Sequence, residues 1–145
     1  MALRKSRAVS AKGILEYRLK GARGLPMGSK LVCADNSGAK ELMIVQVHRF
    51  GGRLRRRPAA NVGSMITVAV TRGPPDLKGQ MFPAIVIRQR FPFRRPEGYH
   101  ICFEDNAAVL MTREGDTKGT EIRGPVAREA SDMWPKLAGM ASVIS

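Results

Sequence analysis

Cysteine, histidine, tryptophan and acidic residues are all scarce in this chain, and each shortage closes off a class of function. Only Cys33 and Cys102 carry thiols, far apart and each inside an apolar run. Without a Cys-x-x-Cys pair no zinc site is implied, and buried, reduced thiols are expected. The two histidines, His48 and His100, fall at the ends of strand-like runs with no ligand spacing around them. Neither the lysine-bearing phosphate loop nor a Gly-x-Ser-x-Gly elbow occurs. Gly51-Gly52 is too short to cradle a phosphate and suits a bend or a close backbone approach. The adjacent carboxylates Glu104-Asp105 have the chemistry of a magnesium-dependent nuclease. No histidine or second acidic cluster supports that reading, and Glu104-Asp105-Asn106 reads as a turn. No catalytic residue, cofactor or metal is therefore expected. No apolar run approaches about 18 residues, so no membrane span is expected. Aromatics number 1 Trp, 2 Tyr and 5 Phe, too few for the broad stacking platform of a single-strand binder.

The shortage of acid is the most informative. Twelve Asp and Glu face 25 Lys and Arg in 145 residues, a net charge of +13 and an isoelectric point near 10.9. The imbalance is also uneven. Residues 1–96 hold 20 cations against 4 acids, whereas 97–145 hold 5 against 8. Such asymmetry suggests one portion that meets a polyanion and another that faces something else. The length suits one domain with a real core.

The stretch from Leu31 to Arg57 organises the rest. Leu31-Val32-Cys33-Ala34 and Leu42-Met43-Ile44-Val45-Gln46-Val47 are short, β-branched runs parted by Asp35-Asn36-Ser37-Gly38. They read as two strands and a turn. Arg49-Phe50-Gly51-Gly52-Arg53-Leu54-Arg55-Arg56-Arg57 follows without an acid. Cations at the end of a buried strand need an anionic partner or full solvation, and the partner is read as nucleic acid.

Pro58–Gly63 reads as a turn with Asn61 at positive φ. Met65–Thr71 and Phe82–Ile87 read as further strands, the second running into a second cationic stretch, Arg88-Gln89-Arg90-Phe91-Pro92-Phe93-Arg94-Arg95-Pro96. Phe91 and Phe93 have two readings there, stacking on bases or capping the barrel end. Tyr99–Phe103 and Ala107–Met111 complete five or six short strands, the pattern of a small closed antiparallel β-barrel. Beyond Gly115 the chain turns helical. Pro125 and Pro135 suit first turns of two short α-helices, Asp132 suits a cap, and Leu137, Met140 and Val143 suit packing on the barrel. The expected organisation is a basic N-terminal extension over 1–27, a barrel with arginine-rich loops over 28–114, and a C-terminal helical segment over 115–145 within the same domain. The acid-poor 1–27 stretch fits either a mitochondrial transit peptide or an RNA-binding arm that orders on contact.

With Ala34-Asp35-Asn36-Ser37-Gly38-Ala39-Lys40 read beside Pro58–Gly63 and Ala84–Arg90, the chain resembles the universal large-subunit ribosomal protein fourteen family, in its archaeal and eukaryotic form. Phe103–Val109, Gly119–Glu129 and Asp132-Met133-Trp134-Pro135 extend the resemblance, which runs in order over 24–145. It favours the arm over the transit peptide. It implies a five-stranded barrel with a C-terminal helical segment, bound directly to large-subunit rRNA. It implies a seat at the subunit interface, touching small-subunit rRNA in a bridge. It further implies that the C-terminal segment meets neighbouring ribosomal proteins and the anti-association factor called initiation factor six, with docking positions at Thr120, Glu121 and Lys136. Trp134 joins them as a residue type enriched at protein interfaces. The RNA-binding candidates are Lys40, Arg49, Arg53, Arg55, Arg56, Arg57, Arg88, Arg90, Arg94 and Arg95. The implied location is the ribosome in the cytoplasm, with assembly starting in the nucleolus if the chain is eukaryotic. The alternatives by composition are a free-standing single-strand-binding barrel and, more remotely, the nuclease.

Overall fold

A computed structural model describes residues 21–112 and 116–145. The expected N-terminal arm lies outside the described residues as far as residue 20, as does the expected boundary at 114/115. In chain order the elements are β1 (Leu25–Pro26), β2 (Lys30–Cys33), β3 (Glu41–Val47), β4 (Ala59–Ala60), β5 (Met65–Arg72), β6 (Met81–Arg88), β7 (Phe93–Arg94), β8 (His100–Ile101), β9 (Ala107–Leu110), β10 (Ile122–Val126), α1 (Arg128–Met133), α2 (Pro135–Met140) and β11 (Ala141–Ile144).

Five strands close into a barrel in the order β2-β3-β5-β6-β9. Four seams are antiparallel and the closing seam, β2 against β9, is parallel, with Val32 opposite Ala107. The parallel seam follows from the strand count. Directions cannot alternate all the way round a closed ring of odd number, so one pair of neighbours must agree.

Two cores form on opposite faces of the same strands. In β3 and β5 burial alternates, placing Leu42, Ile44, Ile66, Val68 and Val70 inside the barrel. In β6 and β9 it does not alternate, and Ala84–Arg88 and Ala107–Leu110 are buried throughout. Val86 and Leu110 face the barrel interior, while Ile85, Ile87 and Val109 face a second core outside it. That outer core is covered by Ile122, Val126, Ala127, Ala130 and Leu137 of the C-terminal segment. Each fully buried Leu or Ile contributes about 1.5–3 kcal/mol, so burial of Ile122 and Leu137 holds the segment on the barrel.

The segment is a strand–helix–helix–strand unit. β10 and β11 pair in parallel, with Ile122 opposite Ala141, and the two helices make the crossover that parallel strands require. Here the expected helix start at Pro125 is corrected. Pro125 lies in β10, and helix begins at Arg128 behind Ala127. Proline is tolerated at the border of a sheet because its missing N–H costs nothing there. Pro135 does open α2. Asp132 lies inside α1 rather than capping it, and Val143 is exposed on β11 while Leu137 is buried.

Local details sort similarly. The positive φ expected at Asn61 falls on Gly63 (φ 79°). A Cβ at Gly63 would stand 2.8 Å from Met133 Sδ, so the glycine serves close approach as well as the turn. Asn61 instead braces the turn, its backbone N–H donating to Ser64 Oγ at 3.2 Å. Cys33 is buried, but Cys102 is exposed, contrary to expectation, because it follows β8 in an outer connection rather than lying in the barrel. Burial, and then the Asp35 carboxylate, push the Cys33 thiol up to about 12. Asp35 is itself buried and accepts the backbone N–H groups of Ser37 at 3.0 Å and Leu110 at 2.9 Å, locking the 35–38 turn to β9.

Candidate nucleic-acid interface

Topology brings the two cationic stretches together. β3 and β6 are both antiparallel to β5, so they run the same way and end at the same end of the barrel. The loop after β3 carries Arg49, Arg53, Arg55, Arg56 and Arg57; the connection after β6 carries Arg90 and Arg94. All seven are exposed. None forms an ion pair with a carboxylate among the described residues. The strand directions thus gather seven guanidiniums, separated in sequence by up to 45 positions, around one rim.

Residues 22–24 tie the two loops at their roots. The Arg23 guanidinium lies 4.8 Å from the Phe50 ring centroid, a cation–π contact. Buried Gln89 donates from Nε2 to the Ala22 carbonyl at 3.1 Å and the Phe91 carbonyl at 2.9 Å. Gly24 has to be glycine at this crossing, since a Cβ there would stand 2.3 Å from Phe91 Cβ. β1 then pairs with β4, which fixes the far root of the arginine loop. The two phenylalanines separate: Phe93 is 5% exposed in the outer core, and Phe91 is 53% exposed on the rim.

Within the loop, Arg56 N–H donates to the Arg53 carbonyl at 3.0 Å, closing a turn with Leu54 and Arg55 at its centre. Arg55 has φ 63°, and Arg49 has φ 53°. A positive φ at the third turn position normally calls for glycine, and a side chain there costs about 1 kcal/mol. Sparsely allowed backbone of this kind gathers at functional sites.

Arg88 and Arg95 face inward. Arg88 Nε and Nη2 donate to Asp105 Oδ1 and Oδ2 at 2.8 and 3.0 Å, and Nη1 donates to the carbonyls of Arg123 and Pro125 at 3.1 and 2.7 Å. Arg95 Nε donates to Glu129 Oε1 at 2.6 Å, and its Nη2 to Glu129 Oε2 and the Ser145 carbonyl at 3.2 and 2.7 Å. The bond to Glu129 raises the Arg95 pKa further. Both guanidiniums are buried and link the barrel side to the C-terminal segment. Asp105 is thereby engaged by Arg88 at both oxygens. Among the described residues no group of three or more His, Cys, Asp and Glu stands together as a metal site.

The remaining candidates lie elsewhere. Lys40 is exposed at the opposite barrel end, its N–H bonded to the Arg72 carbonyl at 2.8 Å. Thr120 is beside it at that end: its N–H donates to Asn36 Oδ1 at 2.9 Å and its Oγ1 accepts from Asn36 Nδ2 at 2.9 Å. Glu121 is exposed there, and Lys136 pairs with Asp116. Trp134 is half-buried and donates from Nε1 to the Gly63 carbonyl at 2.9 Å. Its indole therefore joins the C-terminal segment to the β4–β5 turn. Sequence reading missed Gln89, Gly24 and Phe50 as the supports of the rim. A glutamine between two arginines and a glycine after one carry no signal of their own.

Fold and rim together define a small closed β-barrel protein with one strongly cationic end. The family described as Ribosomal protein L14p/L23e matches residues 24–145, and the chain belongs to that family. It is 50% identical over 135 residues to the large ribosomal subunit protein uL14 of Nitrosopumilus maritimus, covering 93% of this chain and 96% of that one. It is 52% identical over 134 residues to uL14 of Cenarchaeum symbiosum, covering 92% and 93%. With uL14 of Metallosphaera sedula identity is 58% over 111 residues, covering 77% and 80%.

Proposed function

We propose that this chain is a structural constituent of the large ribosomal subunit, working on the ribosome in the cytoplasm, and that it binds large-subunit rRNA through the arginine rim. The observation that carries this reading is the rim itself: seven exposed arginines without carboxylate partners among the described residues, at one end of a closed barrel. Arginine bonds phosphate in bidentate fashion and stacks its plane on bases, and structured RNA is gripped largely by phosphate and shape. The site residues proposed for RNA are Arg49, Arg53, Arg55, Arg56, Arg57, Arg90 and Arg94. Arg88 and Arg95 are left out because they are committed inside the protein, and Lys40 because it lies at the other end. A rim projecting from a compact body also suits a seat at the subunit interface, reaching small-subunit rRNA in a bridge. No catalytic role is proposed. A free-standing single-strand binder is less well supported, since Phe91 and Tyr99 are the only large aromatic side chains among the exposed hydrophobics of the described residues. In a sucrose gradient after a high-salt wash the chain is expected to stay with large subunits. Release into the soluble fraction as a free nucleic-acid binder would sink the proposal.

The opposite end is proposed to meet proteins: neighbouring ribosomal proteins and the anti-association factor, initiation factor six. What supports this is the pair of exposed carboxylates at that end, Glu121 and Asp116. Lys136→Glu breaks an exposed pair worth at most about 1 kcal/mol, so incorporation into subunits should be unaffected. Factor binding to purified mutant subunits should weaken severalfold at low salt, and the deficit should shrink as salt rises, because rim charges act on association rate and are screened. Unchanged factor binding together with poor incorporation would mean that this end faces RNA.

A further inference from the structure

We propose that Leu54 is an apolar wedge that enters an opened base step of helical RNA while the arginines beside it hold the phosphates; this rests on the rRNA-binding reading above. Leu54 is 88% exposed, more than any other large apolar side chain among the described residues. A single exposed leucine on a surface is ordinary, but two features set this one apart. It is presented at the centre of a closed turn, fixed by the Arg56 N–H to Arg53 carbonyl bond, so it is held out rather than left loose. The turn also uses arginine at φ 63° where glycine would relax the backbone, which keeps a guanidinium directly beside the leucine. Arg53 and Arg55 flank Leu54 by one residue on each side. With a Cα spacing of about 3.8 Å, they bracket it much as successive phosphates bracket a base step.

No acid lies in the loop, and Arg49, Arg53, Arg55, Arg56 and Arg57 are all exposed. A partner reached by this tip must therefore offer concentrated negative charge with an apolar slot inside it. RNA does so wherever a step is unstacked, and leucine is among the side chains that open such steps in duplex DNA. The cost of opening is lowest at a mismatch or bulge, so the wedge would also read position, favouring an irregular site over a regular helix.

The test uses the full chain and four forms: wild type, Leu54→Ala, Leu54→Met and Arg56→Ala. Binding to purified large-subunit rRNA is measured across a series of KCl concentrations. Large subunits carrying each form are probed by 2′-hydroxyl acylation, alone and joined to small subunits. Leu54→Ala is expected to weaken binding about tenfold with an unchanged salt slope, because an apolar contact releases no counterions. Leu54→Met, which keeps an apolar side chain of similar volume, should stay near wild type. Arg56→Ala should lower the slope by about one unit. One or two reactive nucleotides should lose reactivity with Leu54→Ala. They would lie in large-subunit rRNA, with or without the small subunit joined; changes confined to small-subunit rRNA after joining would overturn a wedge in the large subunit. If Leu54→Ala leaves affinity and reactivities unchanged while Arg56→Ala lowers the slope, the wedge is wrong and the arginine rim stands. If neither variant changes anything, the rRNA-binding reading fails and the wedge with it. If Leu54→Ala weakens retention of a protein while every rRNA reactivity holds, the tip docks protein and the proposal is overturned.

Discussion

Replacing Arg55, Arg56 and Arg57 together by alanine should weaken binding to large-subunit rRNA about a hundredfold at low salt and flatten the log–log salt dependence by two to three units. The reasoning is counterion release: each phosphate neutralised frees condensed cations, and each contributes a little under one unit of slope. All three side chains are exposed and unpaired with carboxylates among the described residues, so their removal costs the fold little. Arg55 allows a sharper version. Alanine at φ 63° is as strained as arginine, but glycine is not. Arg55→Gly should therefore raise thermal stability, by about 0.5–1 kcal/mol, while lowering the slope by one unit. A variant that is more stable and binds less tightly separates RNA contact from folding. Titrations at several KCl concentrations, beside melting curves of the free protein, provide both readouts. An unchanged slope in the triple variant would mean that the loop is merely solvated.

Much of the barrel could be read from the chain because its strands are short, β-branched and bounded by turn residues. Even the two-sided burial of β6 and β9 is written in composition, since Ala84-Ile85-Val86-Ile87 and Ala107-Ala108-Val109-Leu110 are unbroken apolar runs, the mark of strands covered on both faces. Direction was harder to read. Phe91 and Phe93 are two residues apart and chemically identical, yet one lies on the rim and the other in the outer core, because only the backbone path after β6 decides which ring meets the C-terminal segment. Pro125 carries the same local signal in a strand as at a helix start. Pairing is the least readable property. Nothing local in Arg88-Gln89-Arg90 shows that the first arginine meets Asp105, 17 positions on, while the third has no carboxylate partner among the described residues. Arg95 finds Glu129 across 34 positions. A run of cations therefore marks the exposed rim and the internal clamps alike, and only tertiary contacts sort one from the other.

Arg88→Met is expected to destabilise the protein by about 3 kcal/mol. The guanidinium donates four hydrogen bonds to three separate places: the Asp105 carboxylate and the carbonyls of Arg123 and Pro125 on either side of Gly124. Gly124 has φ 80°, and a Cβ there would stand 3.0 Å from Arg88 Nη1, so the backbone of β10 closes tightly on the arginine. Breaking a buried pair by removing one partner costs about 3–5 kcal/mol. The lower end applies because the Asp105 side chain is 38% exposed and can turn to water, whereas Arg88 is 7% exposed. The two carbonyls left unpaired add to the loss. Methionine fills much of the vacated volume, which separates lost hydrogen bonding from lost packing. Arg88→Lys keeps the charge but cannot span four acceptors, so it should recover only part of the stability. Because the lost bonds join the barrel to β10, residues 122–145 should lose amide-exchange protection before β3 and β5 do. Urea denaturation and native-state hydrogen exchange give the two measurements. A cost under about 1 kcal/mol, accompanied by weaker rRNA binding, would mean that Arg88 swings out to phosphate on the ribosome and belongs with the rim after all.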